Sequence, residues 1–334
     1  MTNTRFGIIG WGYWGPKIAR NLESLPHAEV TMIADTDIRR LSSATKVPGV
    51  QLTTQVQDMF LSNTVDAVVI ATPVRTHYRL AREALLHGKH VLVEKPLTAN
   101  VAEAEDLIAL ASQQGRVLMV GHTFEYSPAV NELRKLVQSG DLGKIYCVET
   151  ERVNLGLFRN DINVIWDLAP HDVSILLYLF GKAPEQIKVQ ANAHLQPNIH
   201  DIAHLDLSYT DGMNAHIHVS WLHPCKIRRV TIIGDVRMVV YDDTNPSEMI
   251  KVYNKGADVD ADPVVSYRYG AITIPHIDWI EPLRLECEDF VSAIHNGTQP
   301  RAHGGVGLAV VHVLAAAQDA LEKQEQMNVA VPVL

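Results

Sequence analysis

The sequence predicts two units in tandem: a doubly wound parallel α/β sheet, then an α+β unit on a large, open, mostly antiparallel sheet. Three observations carry this prediction. Between residue 5 and about residue 121, short unbroken apolar runs alternate with stretches of helical spacing. Continuous apolar strands alternating with helices indicate a parallel sheet covered on both faces. After about residue 140 the pattern changes to half-alternating strands joined by short turns. The composition agrees, because 334 residues with 47% hydrophobic and 20% charged side chains suffice for two well-buried cores. The expected boundary divides 1–122 from 123–334.

The elements of the first unit follow in order. Phe6–Ile9 is a strand, and Pro16–Leu25 a helix with proline in its first turn, where a missing N–H costs little. Val30–Ala34, Asp66–Ala71, His90–Val93 and Val117–Val120 are further strands. Arg75–His87 and Val101–Gln114 have helical spacing, and Asp37–Lys46 reads as a short helix capped by Asp37. In the second unit a helix is expected over Asp167–Phe180. Strands are expected at Glu185–Ala193, Ala203–Tyr209, Ala215–Trp221, Arg229–Ile233 and Arg237–Tyr241. Two closing helices are expected at Leu283–His295 and Gly305–Glu325.

Charge and composition narrow the function. A net charge of −9, from 29 basic and 38 acidic residues, argues against a general nucleic-acid surface. No apolar run is expected to span a membrane, because the longest are broken by Gly, His or charge. Met1–Arg5 lacks the basic and apolar regions of a signal peptide. Cys147, Cys225 and Cys287 are sparse and far apart, which suits a reducing cytoplasm.

Gly10-Trp11-Gly12-Tyr13-Trp14-Gly15 fits G-x-G-x-x-G, follows a strand and opens a helix. In that context Gly10 permits the tight turn, Gly12 lets the backbone approach a pyrophosphate, and Gly15 lets helix pack on strand. Free N–H groups at the helix start then attract phosphates. Asp35 ends the second strand, 20 residues after Gly15, the spacing of an acid that binds the adenosine ribose. A carboxylate there repels a 2′-phosphate, so NAD is expected over NADP, although Arg39 and Arg40 leave NADP possible. The indoles of Trp11 and Trp14 read as packing. These features make the first unit a Rossmann domain.

Ala71-Thr72-Pro73 ends the fourth strand, with His77 just beyond, and Glu94-Lys95-Pro96 ends the fifth. Both strand ends face the crevice where such sheets bind ligands. Thr72, Pro73, His77, Glu94 and Lys95 are therefore expected at the cofactor, with Lys95 at the nicotinamide. Asp167 and His171 stand four residues apart, on one face of the predicted helix. Oxidation of a secondary alcohol needs an acceptor for the hydroxyl proton, a task suited to a histidine titrating near neutrality. A lysine can stabilise charge developing on the same oxygen. A neighbouring aspartate is expected to orient either group and to raise the pKa of His171. Either Lys95 or His171 takes the proton; His171 is favoured.

The set Gly10–Gly15, Glu94-Lys95-Pro96 and Asp167-x-x-x-His171 resembles the glucose–fructose oxidoreductase, inositol dehydrogenase and rhizopine-catabolism (Gfo/Idh/MocA) family across nearly the whole chain. That resemblance implies hydride transfer between nicotinamide and a ring carbon of a sugar, cyclitol or nucleotide sugar. It also implies catalytic roles for Lys95, Asp167 and His171. The stretch from Val153 to Trp166 resembles the nucleotide-sugar branch, which suggests C3 of a UDP-hexose. Tyr126, Arg152, Asn154, Arg159 and Asn163 are candidate donors to substrate hydroxyls or phosphate. Glu125 is unexpected, since basic or amide residues are common near this place in relatives.

His216-x-His218 points to one strand face without a third ligand, so no metal is expected. Some relatives retain NAD through transient oxidation in glycoside cleavage or internal redox exchange. A non-catalytic NAD-binding sensor has no use for the Lys95–Asp167–His171 set. Leu205, Ile217, Val219, Trp221 and Ile232 are expected to leave more apolar surface than one helix layer covers, which predicts a homodimer or homotetramer through the second sheet.

Overall fold

Six parallel strands form the first sheet: β1 (Thr4–Ile9), β2 (Ala28–Ala34), β3 (Gln51–Thr53), β4 (Ala67–Ile70), β5 (His90–Glu94) and β6 (Leu118–Gly121). The computed structural model describes residues 3–47, 49–259 and 265–323. The strand order is β3-β2-β1-β4-β5-β6, with the order reversing between β1 and β4. Alternate strand residues face opposite layers. Val68, Ile70, Val91 and Val93 pack in one apolar cluster, whereas Ala67, Val69 and Leu92 pack in another. The intervening helices are α1 (Gly15–Glu23), α2 (Ile38–Leu41), α3 (Val56–Leu61), α4 (His77–Leu86) and α5 (Val101–Gln113). The helix expected over Asp37–Lys46 is shorter: α2 is one turn, capped by Asp37 on the Arg39 N–H, and a 3₁₀ turn follows at Ala44–Lys46.

The chain continues through α6 (Pro128–Gln138), β7 (Ile145–Leu155) and α7 (Val164–Phe180). Strands β8 (Gln186–Asn192), β9 (Ile202–Ser208), β10 (Asn214–Ser220), β11 (Leu222–Gly234), β12 (Met238–Asp242), β13 (Ile250–Val259) and β14 (Val265–Thr273) follow. They form an eight-stranded sheet in the order β14-β13-β12-β11-β7-β10-β9-β8. Only the β7–β10 pairing is parallel. β7, a strand absent from the sequence-based expectations, sits in the middle of this sheet.

The last two helices are α8 (Pro282–Asn296) and α9 (Gly304–Glu322). Residues 324 and 325 of the predicted final helix lie outside the described residues. Both helices return to the first sheet, although they follow the second in sequence. Leu283, Cys287 and Phe290 of α8 join the cluster under β1 and α1, and Val311 of α9 joins the one under β5. Helix α9 is long and apolar enough by composition to cross a membrane, which revises the expectation that no segment is. Here Val310, Val313 and Leu314 are packed into the core of the second unit.

The second sheet lacks the uncovered apolar face expected for assembly at the residues named. Leu205, Ile217, Val219, Trp221 and Ile232 are all buried, within a cluster that includes residues of α6, α7 and α9. The opposite face is polar, with His216 bonded to Asp206 at 2.6 Å and His204 stacked on His218 at 4.3 Å. The pleat explains the difference, because β9 alternates buried and exposed residues without interruption.

Helix α7 begins three residues before Asp167. Asn163 caps it, its side-chain oxygen accepting from Ile165 N–H at 3.1 Å and Trp166 N–H at 3.2 Å. Its amide also donates to Gln318 of α9. Loss of such a cap costs about 1 kcal/mol. Asn163→Ala should therefore lower the unfolding free energy by that amount, read as a lower urea midpoint with an unchanged denaturant slope.

Candidate active site

The glycine loop has the shape the sequence predicts. Gly10 adopts φ +98°, and a Cβ there would stand 2.5 Å from the Ala71 carbonyl oxygen. A Cβ on Gly15 would strike the Gly10 carbonyl, so helix and strand meet only because it is absent. Gly12 faces open space, its nearest neighbour being Arg40 at 3.9 Å from an added Cβ. Asp35 is buried, one oxygen accepting the Trp11 N–H at 2.7 Å and the other the Asp37 N–H at 2.8 Å. Arg40 stands 3.7 Å from that carboxylate. Asp35, Arg40, Thr72, Pro73 and Thr76 line a cavity of about 440 Å³ beside the loop. Its open backbone and its acid at the end of β2 fit an adenosine ribose and a pyrophosphate.

Two residues expected at the cofactor, His77 and Trp11, have side chains engaged within the protein. The ring nitrogens of His77 each lie 2.8 Å from a carbonyl, one of Pro96 and one of Thr72, and the ring is buried. His77 thus ties together the loops after β4 and β5; burial lowers its pKa, the two carbonyls opposing. The Trp11 indole donates to Ser43 and is buried, whereas Trp14 lines the adjoining cleft and Tyr13 is exposed.

That cleft, about 490 Å³, separates the two sheets. Glu94, Gly121, Thr123 and Phe124 form one side, Arg152, Asn154, Leu168, His171 and Arg228 the other. Lys95 crosses between them. Its ammonium donates to the Asp167 carbonyl and lies 3.7 Å from the Asp167 carboxylate. The two side chains are 13% and 15% exposed. Burial lowers the Lys95 pKa, opposed by Asp167 and Glu94. Asp167 also accepts from the Trp221 indole at 2.9 Å.

One turn along α7, His171 meets Phe124 edge-on at 5.2 Å, and its Nδ1 has no partner among the described residues. The expected rise in its pKa is overturned. Burial holds it well below its ordinary value, and the charges of Lys95 and Arg152 push the same way. Asp167 is turned to Trp221 and Lys95, so its charge does not offset that burial.

The candidate substrate residues separate. Asn154 faces the cleft. Arg152 lines it too, but is locked to Asp172 by bonds of 2.8 and 3.1 Å and stacked 4.4 Å over Phe124. Arg159 reaches 4.0 Å from Asp167. Asn163 is engaged as the helix cap. Tyr126 is corrected: it is 2% exposed, donates to Asp289 at 2.7 Å and accepts from the Ala302 N–H, so it packs behind the cleft. Burial lifts the neighbouring Glu125 to about 8. No three potential metal ligands cluster among the described residues. Sequence reasoning missed Trp221 and Arg228. Arg228 pairs across β7–β11 with Arg152, a register invisible before the strands are aligned.

Comparison with known proteins agrees with this geometry. Residues 4–122 match the oxidoreductase family with an NAD-binding Rossmann fold, Gfo/Idh/MocA, and residues 130–240 match a C-terminal domain of that family. UDP-N-acetylglucosamine 3-dehydrogenase of Acidithiobacillus ferrooxidans is 30% identical over 95% of this chain and 96% of its own. Inositol 2-dehydrogenase 2 of Paenarthrobacter aurescens is 29% identical over 62% of this chain and 66% of its own. The gentamicin A biosynthesis protein GenD2, solved with NAD, superposes with a TM-score of 0.84 at 24% identity, over 98% of this chain and 97% of that one. Sheet order, glycine loop, Lys95 crossing and these matches together place the chain in the Gfo/Idh/MocA family of NAD-binding oxidoreductases.

Proposed function

We propose that this chain is an NAD-dependent dehydrogenase acting on a secondary ring alcohol of a sugar, cyclitol or nucleotide sugar. The observation that carries the reading is the buried Lys95–Asp167 pair one helical turn before His171, which lines the cleft and feels the Lys95 charge. Its resemblance to UDP-N-acetylglucosamine 3-dehydrogenase favours a hexose ring, with C3 of a UDP-hexose as the specific candidate.

Bound NAD supplies the acceptor for the hydride. The residues of the chain manage the proton and the charge. Burial keeps His171 neutral, so its ring offers an acceptor for the hydroxyl proton. Lys95, held by Asp167, donates to the same oxygen as negative charge develops there. Asp167 is a positioning group: it aims the ammonium and is itself fixed by Trp221. Asn154 is a donor for a neighbouring hydroxyl.

Two predictions follow from these roles. Lys95→Ala and His171→Ala should each lower turnover on the order of 100-fold or more, with NAD affinity unchanged and the double loss less than the product. Stopped-flow and calorimetry on the same variants check this, and near-normal turnover in both sinks the assignment. Asp35 should make NAD bind more tightly than NADP, and Asp35→Ser should narrow that gap by removing a charge near the 2′ position. Equal wild-type affinities in calorimetry would reject this role.

A further inference from the structure

The mouth of the same cleft gathers positive charge from both sheets. On one side, Lys17 of α1 lies 3.4 Å above the Tyr13 ring and 5.0 Å from the Trp14 ring. Lys17 has no carboxylate within ion-pair distance among the described residues. On the other side, Arg228 lines the cleft and Lys226 stands exposed two residues earlier on β11. The Tyr13 hydroxyl senses all three, its pKa being lowered first by Lys17, then less by Arg228 and Lys226.

The acids of this wall already have partners, Asp243 being paired with Arg228 itself, which leaves Lys17 and Lys226 without a carboxylate partner among the described residues. Asp243 accepts from Arg228 at 3.1 Å and from the Tyr241 hydroxyl at 3.0 Å. Glu281 is held by Arg20 and Asn21. Burial pushes the Glu94 carboxyl to about 7, which weakens it as a counter-charge. Like charges facing each other across a cleft repel unless an anion lies between them. Guanidinium and ammonium groups are the usual partners of phosphate and carboxylate oxygens.

We infer that the mouth formed by Lys17, Lys226 and Arg228 binds an oxyanion substituent of the substrate, phosphate or carboxylate, while the ring lies deeper beside Lys95 and His171. This deepens the dehydrogenase reading and rests on its placing substrate in this cleft. Neutral cyclitols and free hexoses are then poorer ligands than sugars carrying a phosphate or an acid.

The test needs binding alone, so it does not depend on turnover. The NAD-saturated protein is titrated by calorimetry with UDP-glucose, glucuronate and glucose. An anionic probe should bind about tenfold or more tighter than glucose, the worth of one charge-assisted contact. Preference for UDP-glucose identifies phosphate; preference for glucuronate identifies carboxylate. Lys226→Gln/Arg228→Gln should remove that advantage, and so should Lys17→Gln from the opposite wall, with NAD affinity and thermal midpoint unchanged. Equal binding of all three probes, or no measurable binding of either anion, overturns the inference. So does an equal loss of NAD affinity, which would assign the cations to the cofactor's phosphates. If the anions bind but Lys95→Ala still turns over normally, the dehydrogenase reading fails and the oxyanion site stands.

Discussion

A largely buried ammonium bridges the two halves of this molecule beside the cleft. Lys95 leaves the end of β5 and reaches Asp167 on α7, crossing from the parallel sheet to the antiparallel one. Moving an ammonium out of water costs several kcal/mol, and it is tolerated only where its donors find acceptors. Asp167 offers both a carbonyl and a carboxylate, and Trp221, between β10 and β11, fixes that carboxylate in turn. The relative placement of two sheets and the direction of one functional group are therefore the same constraint.

Much of the remaining structure serves that crossing. His77 ties the loop after β4 to the cis Lys95–Pro96 turn. Asn163 sets the start of α7 and hence the rotation that turns Asp167 and His171 toward the cleft. The Arg152–Asp172 pair is bidentate and almost fully buried, so it anchors α7 to β7 from the next turn. Removing one partner of such a pair leaves an uncompensated charge in the core, which explains why Arg152 is better placed to hold the wall than to greet a ligand. Burial, with the charges of Lys95 and Arg152, keeps His171 neutral.

What the sequence made legible was local. Unbroken apolar runs revealed β1, β2, β4, β5 and β6, because a strand buried on both faces has no polar side to hide it. The glycine loop and Asp35 were readable because their geometry depends on neighbours in sequence. Lys95 could be placed because strand ends in such a sheet share a rim. What escaped was non-local. Trp221 stands 54 residues from Asp167, and Arg228 meets Arg152 only through the β7–β11 register. Tyr126 follows β6 toward the crevice, yet its hydroxyl is claimed by Asp289, 163 residues away. The supposed bare face of the second sheet was misjudged for a similar reason: α9, from the far end of the chain, supplies part of its cover.

The direct test of this account is the titration of Lys95 itself, followed by NMR on protein carrying isotope-labelled lysine, with Lys95→Met to assign the signal. Burial should place its midpoint below the ordinary 10.5, and Asp167→Asn should lower it further, because the aspartate charge is what opposes burial. A midpoint at or above 10.5, or one that Asp167→Asn does not move, would contradict the claim that Asp167 holds a buried Lys95 ammonium in the cleft.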